Sequence, residues 1–149
     1  MKPQLKTVEN MQRISTPTEL PEALYLSTLQ DALKEDLGLT GDITSTLTIP
    51  ETKTANATFV ARDEGVIAGL QMALKTFELV DPTLTIKAFV TDGELVTKGT
   101  PLAKVSGKAR SILTAERVAL NLLGHLCGIA TTTYSMARQL EGTTTKLLD

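Results

Sequence analysis

The stretch ILTAERVALNLLGHLCGIATTT, residues 112–133, decides how the rest of the chain must fold. Apolar residues stand at Ile112, Leu113, Ala115, Val118, Ala119, Leu120, Leu122, Leu123, Leu126 and Ile129, with no proline to interrupt them. The spacing predicts one long helix, capped by Ser111 and running to about Glu141. Its apolar positions are not confined to one stripe, which is the pattern of a helix covered on more than one side. The elements that precede it suffice for one layer, so something else is expected to pack on the remaining side.

The same stretch holds the only histidine, His125, and the only cysteine, Cys127. Two residues apart on a helix, their side chains point roughly 200° apart. They can form neither a nucleophile and base pair nor a shared metal site. Cys127 sits in the register of Leu120 and Leu123 and reads as a small buried hydrophobe. His125 follows Asn121 by four residues and reads as a structural histidine hydrogen-bonded along the helix, with a proton-shuttle role left open. No residue is assigned as catalytic acid, base or nucleophile, and none as a metal ligand.

A different face is more informative. Arg117, Asn121, Gly124 and Gly128 follow the spacing i, i+4, i+7, i+11. Glycine in a helix interior costs about 1 kcal/mol against alanine, so two on one face predict close approach by a backbone or a ligand. An arginine set in an apolar run needs an anionic partner. Two readings stand side by side: an ion pair within the chain, near Glu116 or to Asp149, and a fork for a substrate carboxylate.

Working outward, residues 1–25 are polar, carry Pro3, Pro17 and Pro21, and read as an arm. Ser27 and Gln30 have the spacing of a capping box, followed by Leu29, Ala32, Leu33 and Leu37 on one helical face before Gly38. Residues 38–50 are rich in turn formers. Ala55, Ala57, Phe59 and Ala61 alternate with polar residues, and residues 66–68 supply a second strand. Leu70, Ala73, Leu74 and Phe77 then mark a helix that ends before Asp81 and Pro82. Strand character returns at Leu84, Ile86, Ala88 and Val90, and again at 95–96 and 102–105, separated by turns at Asp92-Gly93 and Lys98-Gly99. The segment DGELVTKGTPLAKV is similar to the strand-turn-strand of biotinyl and lipoyl carrier domains, but no Met-Lys-Met or Asp-Lys-Ala surrounds Lys98, so a plain small sheet is expected. Residues 145–148 read as the opening of a β-strand.

Bulk properties narrow the function. A chain of 149 residues with 42% apolar content can build a core. A net charge of -2 with 3% aromatic residues gives no footprint for nucleic acid. A single cysteine excludes a disulfide framework within the chain and a multi-cysteine zinc site, and fits a reducing cytoplasm. The N-terminus has no apolar signal-peptide core, and no window approaches 18 uncharged apolar residues, so no membrane span is expected.

Four segments, ALKEDLGLTGDITS, ARDEGVIAG, DGELVTKGTPLAKVSGKAR and ARSILTAERVALNLLGHLCGIATTT, stand in an order that closely resembles the N-terminal part of the quinolinate phosphoribosyltransferase family, also called carboxylating nicotinate-nucleotide pyrophosphorylase. The resemblance runs over residues 26–149. It implies an α/β fold: an α+β N-terminal domain over 26–111, with a small sheet and helices on one face, followed over 112–149 by a long helix and the first strand of a truncated TIM-like barrel. It implies the conversion of quinolinate and phosphoribosyl pyrophosphate to nicotinate mononucleotide, pyrophosphate and carbon dioxide, in NAD biosynthesis, with Mg²⁺ in the complete enzyme and none bound by this chain alone. It also implies a cytoplasmic homodimer or higher homo-oligomer, with no nucleic acid or membrane partner. There the arginine matching Arg117 reaches the neighbouring subunit's quinolinate.

The family's sequence continues past the segment matching TKLLD into a Thr-Arg-Lys-Thr motif, a His-Arg pair and further lysines and acidic residues. Here the sequence ends at Asp149. The expectation is therefore a truncated family member, inactive alone. Position 127 is cysteine where serine is common in the family. Two alternatives accompany this reading: a non-catalytic dimerisation module or short paralogue, and a relative of the molybdenum-transport-associated pyrophosphorylases.

Overall fold

The computed structural model describes residues 20–148, so most of the expected arm at 1–25 lies outside the described residues. A single 3-10 turn, Glu22–Leu24, leads into α1, Leu26–Leu37. The helix starts behind Tyr25 with no side-chain cap, so the Ser27 and Gln30 capping box does not form; Ser27 is already inside the first turn. Its predicted apolar face is real, with Leu29 and Leu33 buried. Helix α2, Ile43–Thr48, is capped by Asp42, which accepts from Ser45 N at 2.9 Å and from Thr114 Oγ1 at 3.1 Å.

Five strands follow: β1 Thr54–Val60, β2 Gly65–Val66, β3 Thr85–Ala88, β4 Leu95–Val96 and β5 Pro101–Lys108. The main sheet has the order β1-β5-β3 and both pairings are antiparallel, while β2 and β4 form a separate short ladder. Alternation sends Ala57, Phe59, Ile86, Ala103 and Val105 inward and Asn56, Thr58, Lys87, Lys104 and Lys108 outward. Helix α3, Leu70–Val80, and helix α4, Ala109–Gln139, cover the inner face. Phe77 meets Phe59 edge to face, ring centroids 5.6 Å apart. Phe77, Leu29, Leu70 and Val105 are the largest fully buried apolar side chains; each contributes about 1.5–3 kcal/mol by burial.

The junction into α3 depends on Gly69, whose φ of 79° lies in the left-handed region. Its amide and that of Leu70 donate to the Asp92 carboxylate at 2.8 and 2.9 Å, so a distant turn caps the helix. A Cβ at Gly69 would run into Leu126 on α4.

Helix α4 begins at Ala109, directly after β5, and Ser111 is not its cap. Instead Ser111 Oγ donates to Asp81 Oδ2 at 2.7 Å, tying α4 to the end of α3. Thr83 donates from its hydroxyl to Asp81 at 2.6 Å and from its amide at 2.9 Å. With Ser111, these bonds hold the Asp81 carboxyl down at about 2. Arg110 donates to the carbonyls of Ile49 at 2.7 Å and Thr46 at 2.9 Å, fastening the end of α2 to α4.

Within the described residues α4 is covered on one side. Ile112, Ala115, Val118, Ala119 and Leu123 are buried, while Leu113, Leu120 and Ile129 are exposed. By length and composition α4 is also apolar enough to cross a membrane, contrary to the sequence expectation; here its inner face is the core of the domain, packed on α3 and the sheet. The strand expected at 145–148 does not form; those residues are exposed and without regular structure.

Candidate functional site

Because Ile112, Ala115, Ala119 and Leu123 turn inward, helical geometry turns Leu113, Arg117, Leu120, Asn121, Gly124 and Gly128 outward, and all six are exposed. The face read from spacing is therefore assembled as expected. What it meets differs from the expectation.

Arg117 is not buried: its side chain is 75% exposed, so no desolvation cost demands a partner. The partner it has is Asp36 of α1, with Oδ1 3.6 Å from Arg117 Nε, and not Glu116; Asp149 lies outside the described residues. An ion pair this open contributes at most about 1 kcal/mol. Asp36 is the residue that the sequence reading missed, and a local signal for it existed. It lies in the last turn of α1, where the helix dipole disfavours acids. With Nε beside Asp36, the four N–H donors on Nη1 and Nη2 belong to an open side chain and match the two oxygens of a carboxylate.

Apart from their own helix, Gly124 and Gly128 have nothing among the described residues within 4 Å of where a Cβ would stand. Among the described residues no other backbone approaches them, so the close approach expected from the glycines is not made there. His125 is exposed and makes no hydrogen bond among the described residues, so the expected bond to Asn121 is absent. It borders a groove of about 680 Å³ between α1 and α4, together with Glu35, Asp36, Val118 and Asn121.

Cys127 faces the other way, toward β2. Its sulfur accepts from Ala68 N at 3.3 Å and lies 3.5 Å from Ala68 O, while Thr131 Oγ1 accepts from Val66 N at 3.0 Å. These contacts fasten α4 to the β2 segment. Burial pushes the Cys127 thiol up from its ordinary value, away from a reactive thiolate. Cys127 packs against the core as expected, and the couple with His125 does not exist. On this side of α4 runs a largely apolar groove of about 720 Å³ walled by Val60, Val66, Val96, Leu102 and Leu120.

Among the described residues no group of three or more His, Cys, Asp or Glu side chains gathers as a metal site. The arrangement can anchor a carboxylate and present an apolar, glycine-notched surface.

A family model described as quinolinate phosphoribosyl transferase, N-terminal domain, matches residues 42–127. The chain is 46% identical over 106 residues to the chloroplastic carboxylating nicotinate-nucleotide pyrophosphorylase of Oryza sativa subsp. japonica, a match covering 71% of this chain and 29% of the relative. It is 45% identical over 109 residues to the decarboxylating quinolinate phosphoribosyltransferase 1 of Nicotiana glauca, covering 73% and 31%. Among solved structures, NadC from Streptococcus pyogenes superposes with a TM-score of 0.79 at 34% identity, covering 83% of this chain and 44% of that one. The nicotinate-nucleotide pyrophosphorylase from Francisella tularensis gives a TM-score of 0.81 at 31% identity, covering 88% and 46%. The chain thus spans under a third of these curated relatives and under half of the solved structures.

Proposed function

The chain belongs to the quinolinate phosphoribosyltransferase family, and from that premise we propose that it supplies the N-terminal part of an enzyme that joins quinolinate to phosphoribosyl pyrophosphate, releases pyrophosphate and carbon dioxide, and yields nicotinate mononucleotide for NAD biosynthesis. One observation carries the reading: an open arginine, its Nε beside Asp36, on an outward helix face whose glycines nothing among the described residues covers. Quinolinate is a dianion whose ring nitrogen must meet the anomeric carbon as pyrophosphate departs. Cations that fix its orientation and offset its charge lower that barrier. Arg117 serves as a carboxylate anchor. Its guanidinium stays protonated, so it is neither acid nor base in the reaction.

The site that Arg117 serves is completed by a neighbouring subunit in a homodimer or larger homo-oligomer. Leu113 and Leu120, exposed side by side on α4 next to the open glycine face, support this, because such a surface is commonly an interface. On this reading residues 26–111 form the N-terminal domain, residues 112–149 enter the barrel domain, and the protein works in the cytoplasm. Magnesium belongs to the complete enzyme; among the described residues no group of three or more His, Cys, Asp or Glu side chains gathers to hold it.

This chain by itself is expected to be inactive, since its described residues offer one anchor for a dianion. The test incubates the purified chain with quinolinate, phosphoribosyl pyrophosphate and Mg²⁺ and follows nicotinate mononucleotide by chromatography. No product is expected, and turnover by the chain alone would refute the proposal.

A further inference from the structure

The outer face of the main sheet lies on the opposite side from the core and α4. Strands β1, β3 and β5 read TANATFV, TIKA and PLAKVSGK, with three lysines and no acidic residue. Lys87 and Lys104 are direct cross-strand partners, with Thr58 opposite Lys104 on the other side. Like charges placed directly opposite destabilise a sheet, and none of Lys87, Lys104 and Lys108 makes an ion pair among the described residues. Lys108 lies on the same face as Lys104 and about 13 Å further along β5. Asp81, whose carboxyl feels the Lys108 charge, already accepts from Thr83 and Ser111. Between the lysines stand only Asn56, Ser106, Thr58 and Thr85, and at one end Phe89 is 44% exposed with Lys87 Nζ 5.5 Å from its ring centroid.

We propose that this lysine face docks an extended acidic polypeptide segment. The face is the open side of a three-stranded sheet, so it suits a chain lying along the strands better than a small anion needing an enclosed pocket. Carboxylates at positions i and i+4 of an extended peptide span about 13 Å, the separation of Lys104 and Lys108. Nucleic acid fits less well, because the aromatic ring on this face is already engaged by a lysine and leaves no stacking platform. A membrane surface fits less well too, since basic clusters that hold anionic lipid carry about four to eight cations and these strands carry three. Within a chain of net charge -2, this face carries three lysines and no strand acid to offset them, which is the charge complement of an acidic partner.

The experiment measures fluorescence anisotropy of a labelled peptide of alternating glutamate and serine titrated with the full chain in low-salt buffer. Salt-sensitive binding is expected. K87E/K104E should weaken it by at least about tenfold, because each lost attraction becomes a repulsion, whereas K34E on α1 should leave it unchanged. Single K87E should weaken binding as well while raising Tm, because it turns the like-charge cross-strand pair with Lys104 into an opposite-charge one; weaker binding by a more stable chain shows that the loss of binding is not a loss of fold. If charge reversal disturbs the sheet, K87Q/K104Q must still show the weakening. Equal binding by either double variant overturns the proposal, as does no binding of the peptide to the native chain. Preference for a single-stranded oligonucleotide or for phosphatidylserine vesicles over the peptide also overturns it.

Discussion

Replacing Gly124 and Gly128 by alanine separates what the glycine face does inside the chain from what it does outside it. Both residues sit in the interior of α4, neither has a positive φ, and among the described residues a Cβ at either would meet nothing within 4 Å beyond its own helix. Glycine lowers helix stability by about 1 kcal/mol relative to alanine, so each substitution should stabilise the isolated chain by that amount and the pair by about 2 kcal/mol. For a chain of this size that corresponds to a rise in Tm of roughly 3–5 °C per substitution. Circular dichroism melts on dilute protein measure it, and sedimentation velocity on the same samples measures association. If the face is packed closely by another subunit, the added methyls weaken that association while the single chain becomes more stable. A fall in Tm for either variant in dilute solution would refute the reasoning, because it would mean that a backbone within the chain already occupies the space.

Gly69→Ala should act in the opposite sense: the left-handed φ and the clash with Leu126 together should cost roughly 2–4 kcal/mol, read from urea denaturation. Removing the two bonds from Arg110 to the end of α2 by Arg110→Ala should cost roughly 1–3 kcal/mol and should show as faster amide exchange in residues 43–48. The Asp81 carboxyl, held at about 2, lies below its unfolded value near 4, so it favours the fold wherever it is ionised in both states. That contribution is complete above about pH 4 and is lost as pH falls toward about 2; Asp81→Asn should flatten the acid limb of the stability curve over that window, and an unchanged limb would contradict the Ser111 and Thr83 bonds.

Periodicity carried the parts of the fold that depend on neighbours in sequence. The stripe of Leu70, Ala73, Leu74 and Phe77 and the alternation of Ala55, Ala57 and Phe59 read directly, because the hydrophobic face of each element is written at its own period. Contacts between elements were not legible. Ser111 has the composition of a cap, yet its hydroxyl is taken by Asp81, thirty residues away on another helix. Asp92 caps α3 from a turn 22 residues downstream, which no local pattern announces. Spacing puts Arg117 on one helix face with Asn121, Gly124 and Gly128, but its exposure and its pairing with Asp36 follow from how α1 lies across α4. The spacing of Gly124 and Gly128 reads as a sign of a close neighbour, and among the described residues none stands there.

The most direct test of the account asks whether Arg117 can serve an active site built by another polypeptide. The catalytic barrel domain of a full-length relative, expressed without its own N-terminal domain, would be mixed with this chain and assayed for nicotinate mononucleotide at varied quinolinate. The account predicts that the native chain restores turnover, that Arg117→Ala folds normally but raises the quinolinate KM strongly, and that the chain alone makes no product. Equal KM with the native and Arg117→Ala chains would contradict it.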